Sequence, residues 1–101
     1  MTTARIEAQV ATTSGDKYVR QLCKHWSHKF ETKVEDKAGG SIGTVTFPTA
    51  AVTMAADETG IAIAIEGPSR EEVEPLTGVV ADHVDRFAFR EGPLVYEWAW
   101  R

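Results

Sequence analysis

Cysteine is almost missing from this sequence, which holds a single one, Cys23, among 101 residues. No disulfide can therefore form within the chain. Small secreted domains usually depend on such crosslinks because their hydrophobic cores are too small to hold the fold alone. The scarcity of cysteine therefore predicts a cytoplasmic protein.

Long apolar runs are missing as well. The longest uninterrupted run near the middle covers residues 61–65, far short of the roughly 20 residues that a membrane helix needs. The N-terminus lacks a basic stretch followed by an apolar segment, so we expect neither a signal peptide nor an anchor. We predict no contact with a membrane.

Positive charge is in short supply. The chain carries 11 lysine and arginine residues against 15 acidic ones, for a formal net charge of −4. Domains that bind nucleic acids usually present a basic surface that neutralises phosphates. The charge balance therefore argues against a nucleic-acid partner.

Catalytic motifs are equally scarce. The sequence has no CxxC motif, no Ser–His–Asp spacing and no pair of catalytic carboxylates. Gly39, Gly40 and Gly43 lie between two predicted strands rather than before a helix, so they predict a hairpin turn and not a phosphate-binding loop. No cofactor is required by any motif, and the identity of a metal is not specified.

The sequence does contain a clear pattern of strands and helices. Alternating residues predict strands over 4–12, 32–36, 42–47, 50–56, 61–66 and 94–100. Apolar stripes of period 3.6 predict helices from 16 to about 30 and from 69 to about 90. The order is β-α-β-β-β-β-α-β. We expect a single α+β domain over residues 1–101, a two-layer sandwich with both helices on one face of a mostly antiparallel sheet of about six strands.

The second helix carries its own start and stop signals. Ser69 and Glu72 form a capping box at its beginning. Pro75 lies about one turn further on and predicts a kink or a split near the helix start. Gly92 and Pro93 are expected to end the helix.

Three histidines supply the main candidate site. His25 and His28 are three residues apart, which predicts that both imidazoles lie on one face of the first helix. If the two helices pack side by side, His83 faces this pair. Three nitrogen ligands would suit Zn²⁺ or a similar ion, with Glu31 and Asp82 as weaker candidates. The alternative is that the histidines lie on the surface or between the helices and only titrate or form hydrogen bonds.

Other reactive or charged side chains have simpler interpretations. Cys23 falls on the apolar side of the first helix, where we expect a buried, inert thiol rather than a nucleophile paired with His83. The basic face of that helix, which includes Lys29, is either an anion-binding surface or a solvated one. Asp82 and Arg86 are four residues apart and are expected to form an ion pair.

An alternating aromatic row closes the sequence. Tyr96, Trp98 and Trp100 share one face of the last predicted strand with Leu94. If they face the helices, they belong to the core; if they face away, they form an apolar patch typical of dimer interfaces. We expect part of the row in the core, with Trp100 as the candidate for exposure. This strand is also a candidate sheet edge that a second chain extends.

Two blocks of the sequence resemble a known family. Residues 22–30, LCKHWSHKF, and residues 83–91, HVDRFAFRE, are similar to the signature of the bacterial family called domain of unknown function 2218. The resemblance covers nearly the whole chain and implies signature positions at His25, His28, Lys29, His83, Arg86 and Glu91. Members are small bacterial proteins without an established activity. Some are joined to, or encoded beside, siderophore-interacting flavin reductases, so the resemblance implies a link to iron uptake or release and a siderophore reductase as a partner.

These observations leave three functional hypotheses, in order of preference. The first is a non-catalytic binding or accessory domain that holds an iron chelate, a metal or a small anion, with these ligand-binding candidates: His25, His28, His83, Lys29 and Arg86. The second is a homodimer that assembles through the sheet or the last strand. The third is a small enzyme that uses histidine for acid–base catalysis.

Overall fold

The computed structural model describes residues 3–101, which form a six-stranded antiparallel sheet and two helices. The strands are β1 (Ala4–Ala11), β2 (Glu31–Lys37), β3 (Gly40–Thr46), β4 (Ala51–Ala56), β5 (Gly60–Gly67) and β6 (Ala99–Trp100), and the helices are α1 (Gly15–Trp26) and α2 (Arg70–Phe87). The sheet order is β2-β3-β4-β5-β1-β6. The predicted fold class and element order are confirmed. Neither helix in this range is long and apolar enough to cross a membrane.

The sheet has one buried face and one open face, as the alternation in β1 predicts. Ile6, Ala8 and Val10 point toward the helices and are buried, whereas Arg5 on the other face is exposed. Apolar side chains from the other strands and from both helices join the same buried cluster, whose largest members include Leu22, Met54, Ile61, Ile63 and Ile65. Both helices therefore cover the same face of the sheet.

Helix α1 packs closely on β3 because β3 presents a glycine to it. A Cβ atom at Gly43 would lie 2.6 Å from Cys23 Sγ and 2.7 Å from Val19 Cγ1, so only glycine leaves the room that these side chains fill. The predicted burial of Cys23 is confirmed. Burial raises the pKa of its thiol, because the apolar surroundings disfavour the thiolate.

Helix α1 ends at Trp26, about four residues earlier than its periodicity predicts, because the chain must turn to enter β2 at Glu31. The N–H of Phe30 donates to the Trp26 carbonyl at 2.8 Å, which closes the turn. His28 therefore lies in the turn, and the prediction that it shares a helical face with His25 was wrong.

Helix α2 begins as predicted but is not split. The Ser69 side chain accepts a hydrogen bond from the N–H of Glu72 at 3.3 Å, so the N-cap is confirmed. Pro75 lies inside a continuous helix, where it removes one backbone donor. The buried side chains of Val73 and Val80 anchor the helix on either side of this position. The predicted split was therefore wrong.

The last strand departs most from its prediction. Residues 99–100 pair with β1, whereas 94–98 carry no ladder, although the alternation predicts a strand over all of 94–100. A carboxylate on α2 explains the difference: Asp85 Oδ1 accepts the N–H of Leu94 at 3.1 Å and the hydroxyl of Tyr96 at 2.9 Å. Hydrogen bonds to α2 thus replace those that β1 would have supplied.

The aromatic row nevertheless faces the core. Tyr96, Trp98 and Trp100 are partly buried and pack against the apolar cluster, with the first two rings nearly parallel at 6.1 Å. The Arg70 guanidinium covers the Trp100 ring at 4.8 Å. The expectation that part of the row joins the core is confirmed, and Trp100 too is partly covered.

Candidate functional site

Two cavities lie along the crevice between α1 and α2. The first is lined by the C-terminal end of α1 and the middle of α2, and the second by the beginning of α1 and the end of α2. The helices therefore run in opposite directions along the crevice. Because facing positions on a helix recur every three or four residues, each helix contributes side chains to both cavities.

We call the first of these the histidine cavity. It has a volume of about 480 Å³ and is lined by all three histidines and Lys29, together with apolar side chains: Trp26, Phe30, Phe47, Leu76 and Val79. Small-molecule sites commonly occupy roughly 300–1,000 Å³ and combine apolar walls with a few polar groups. The cavity has that size and that composition.

His83 is the central polar group of the histidine cavity. Its ring centroid lies 5.6 Å from that of His25 and 5.0 Å from that of Trp26. Its Nδ1 lies 2.7 Å from the carbonyl oxygen of Val79. Because a carbonyl only accepts, Nδ1 carries the proton and donates it to this bond. In the neutral ring Nε2 is then an acceptor that a ligand can address.

Aromatic rings form the wall beneath His83. Trp26 meets Phe47 edge-on at a centroid distance of 5.2 Å, and Phe30 lies 4.6 Å from Phe47. Trp26 and Phe47 are buried and Phe30 is partly buried. Interlocked rings of this kind give a rigid apolar surface that suits a flat ligand.

The rim of the cavity carries two imidazoles and one ammonium group. His25, His28 and Lys29 line it and are exposed. Four of the five ligand-binding candidates from the sequence therefore line one cavity: His25, His28, Lys29 and His83. His28 and Lys29 lie in the turn after α1 rather than on the helix. A ligand with an acidic group at its outer end would meet these side chains.

The histidines do not form a ready-made coordination sphere. Among residues 3–101, no group of three or more His, Cys, Asp or Glu side chains is placed to hold a metal ion. Glu31 and Asp82 do not line the cavity. Cys23 packs at Gly43 on β3 instead. The three imidazoles thus share a concave surface without meeting at a point.

Arg86 is separated from the histidines, contrary to the expected grouping. It lines the second cavity, of about 420 Å³, which we call the basic cavity because Lys17, Arg86 and Arg90 all border it. The expected ion pair of Arg86 with Asp82 is not among the ion pairs of the described residues. Arg86 instead lies at the α1 side of α2, where Lys17 is its neighbour in the cavity wall.

A partly buried hydrogen-bond network at the basic cavity was missed by the sequence reasoning. Glu91 accepts from the Tyr18 hydroxyl and from Thr12 Oγ1, the latter at 2.9 and 3.0 Å. The Glu91 carboxylate raises the pKa of Tyr18, since an anion beside the hydroxyl disfavours its ionisation. A signal was present: Thr12 continues the buried alternation of β1 just beyond its end, Tyr18 lies on the buried side of α1, and buried polar groups need partners.

Comparison with known protein families tests the resemblance that residues 22–30 and 83–91 suggested. A family model described as "Uncharacterized protein conserved in bacteria (DUF2218)" matches residues 7–99, almost the entire chain. The chain belongs to the DUF2218 family. The resemblance inferred from residues 22–30 and 83–91 is therefore confirmed.

The DUF2218 fold is also found in a solved structure. The NMR structure of PA4090 from Pseudomonas aeruginosa is 29% identical to this chain, with a TM-score of 0.71. The match covers 98% of this chain and 96% of that one. No curated protein matches this DUF2218 chain in sequence.

The two signature blocks of this DUF2218 chain meet across the helix crevice. His25 from the first block lies 5.6 Å from His83 and 6.3 Å from Phe87 of the second, measured between ring centroids. Phe87 also lines the basic cavity, so its ring stands between the two cavities. The crevice is therefore where residues 22–30 and 83–91 come together.

Proposed function

We propose that this DUF2218 domain is a non-catalytic binding protein whose histidine cavity holds a small aromatic molecule with acidic groups. The observation that carries the proposal is the combination of aromatic walls with His83 in the cavity lining, where the bond of Nδ1 to the Val79 carbonyl leaves Nε2 as the free acceptor of the ring. A phenolic hydroxyl can donate a hydrogen bond to Nε2, and the aromatic ring that carries it can pack against the aromatic walls.

The rim supports an anionic rather than a neutral ligand. His25, His28 and Lys29 border the opening, and a carboxylate on the ligand would form charge-assisted hydrogen bonds with them. An aromatic ring with a hydroxyl at one end and a carboxylate at the other satisfies both ends of the cavity.

The link to iron handling enters through the same chemistry. Catechol carboxylates are the iron-binding units of one class of siderophore, and they carry the ring, hydroxyls and acid that the cavity favours. We therefore propose an iron-free catechol carboxylate, whose hydroxyls keep their protons, as the ligand, a cytoplasmic location, and a siderophore reductase as the protein partner.

Isothermal titration calorimetry with 2,3-dihydroxybenzoate tests this proposal. We expect binding that weakens at least tenfold in His83→Phe, which keeps the ring but removes Nε2. Benzoate, which lacks the hydroxyls, should bind correspondingly more weakly. Lys29→Gln should also weaken binding, whereas Lys24→Gln removes the same charge from an exposed position outside the cavity and should leave binding unchanged. Absence of binding, or equal losses in the two lysine variants, would contradict the proposal.

Dimerisation and catalysis stay predictions that no single observation favours. The open face of the sheet carries a depression of about 510 Å³ whose floor includes Ala55, Ala62 and Ala64, with Arg5 and Glu7 beside them. Small side chains and mixed charges offer little apolar area for a stable dimer. We therefore place the binding function first.

A further inference from the structure

We propose that the basic cavity is a second binding site, which takes a phosphoryl group carried on a flat aromatic molecule. It is independent of the ligand proposed for the histidine cavity. Three observations carry it: three cations in one cavity wall that form no salt bridge within residues 3–101, aromatic rings in the same wall, and a separation from the histidine cavity by Phe87.

The cations of this cavity lack ion-pair partners. Lys17, Arg86 and Arg90 line it, and none of them forms a salt bridge within residues 3–101. This is unusual for a chain in which acidic residues outnumber basic ones by 15 to 11. Like charges that share a concave wall repel one another, so an anion bound between them would relieve the repulsion.

One carboxylate also lines the cavity and has to be counted. Glu91 accepts hydrogen bonds from the hydroxyls of Tyr18 and Thr12, and its side chain is exposed. With Glu91 ionised, the cavity keeps a formal charge of +2 from its three cations and one anion. That charge matches a phosphate monoester, which carries roughly −1.5 to −2 at neutral pH.

The arginines favour phosphoryl over carboxylate. Two guanidinium groups and one ammonium can address three terminal oxygens, and the planar guanidinium binds phosphate through paired hydrogen bonds. A carboxylate, with two oxygens and a single charge, would leave one of the three cations without a partner.

The aromatic rings indicate what the phosphoryl group is attached to. Phe89 is 70% exposed, an unusual state for a large apolar side chain, and the Arg90 guanidinium lies 5.7 Å from its ring centroid. Phe87 supplies a second ring in the wall. A planar group next to the phosphate would cover Phe89 and remove its apolar surface from water.

Titration of the protein with phenyl phosphate at low ionic strength, followed by ¹H–¹⁵N NMR, tests this site. We expect shifts at residues 14–21 and 86–91, and affinity that falls about tenfold in Arg86→Gln and in Arg90→Gln. Lys24→Gln removes one positive charge from α1 outside the cavity and should change the affinity less than twofold. Phe89→Ser should weaken the binding of phenyl phosphate but leave the affinity for inorganic phosphate unchanged.

Several results would overturn the proposal. Absence of shifts in the basic cavity would do so, as would equal weakening by Lys24→Gln, which would indicate attraction to the overall charge. If benzoate shifted residues 14–21 and 86–91 with the same affinity as phenyl phosphate, the phosphoryl preference of the basic cavity would be refuted. Because all three basic side chains are exposed, the spectra of the variants should overlay on that of the wild type and show that each variant is folded.

Discussion

The two ends of the helix crevice are held together by different forces. At the histidine cavity, buried rings pack against one another, with Trp26 and Phe47 at 5.2 Å. At the basic cavity, a carboxylate on the segment after α2 takes hydrogen bonds from Tyr18 and Thr12. One end therefore depends on the packing of buried rings, and the other on hydrogen bonds to a carboxylate.

The largest expected effect is at the apolar end. Trp26→Ala should lower the free energy of unfolding by about 3–5 kcal/mol, because it removes a buried ring and leaves a cavity. Trp98→Ala is the matched control, since this tryptophan is only partly buried, and it should cost clearly less. Urea unfolding followed by circular dichroism measures both. Equal losses in the free energy of unfolding would show that the packing of Trp26 at the histidine cavity contributes no more to stability than that of Trp98.

A smaller effect is expected at the polar end. Tyr18→Phe removes the hydroxyl that donates to Glu91 and should cost about 1–1.5 kcal/mol in urea unfolding at neutral pH. The ring stays in place, so the packing of α1 is preserved. A cost near that of Trp26→Ala would contradict the distinction between the two ends.

The same variant tests the pH dependence of the polar end. Since the pKa of Tyr18 is raised in the folded state, the folded protein holds this proton more tightly than the unfolded chain does. This stabilisation is complete below about pH 10 and is lost as the pH rises through the folded pKa. The stability difference between wild type and Tyr18→Phe should therefore shrink above about pH 10. If the stabilities of the two proteins changed with pH in parallel, the raised pKa of Tyr18 would be contradicted.

The smallest effect on stability is expected at Arg86. Because Arg86 is exposed and shares its cavity with two other cations, Arg86→Gln should change the free energy of unfolding by no more than about 0.5 kcal/mol. Thermal unfolding at low salt measures it. A large loss would mean that Arg86 has a structural partner and that the basic cavity is not open to an anion.

The sequence predicts the fold well where one local rule acts alone. Alternation in β1 and β5, the stripe on α1 and the cap at Ser69 all correspond to observed elements. The rule fails where a tertiary contact competes with it. Residues 94–98 alternate like a strand, but Asp85 on α2 takes the hydrogen bonds of Leu94 and Tyr96, and no periodicity reveals that contact.

The candidate site was predictable in part for the same reason. The packing of α1 beside α2 brings His83 to His25, as the apolar stripes suggest. The sequence could not divide the charged residues between two cavities, because this depends on Phe87 standing between them. It also could not give the tautomer of His83, which follows from the contact with the Val79 carbonyl.

Nitrogen-detected NMR of the histidine rings, with and without 2,3-dihydroxybenzoate, tests the central claim most directly. We predict that neutral His83 carries its proton on Nδ1, and that its Nε2 resonance moves on addition of the ligand together with signals of His25 and Trp26. A proton on Nε2 in the free protein, or an Nε2 resonance that stays unchanged when the ligand binds, would contradict the account.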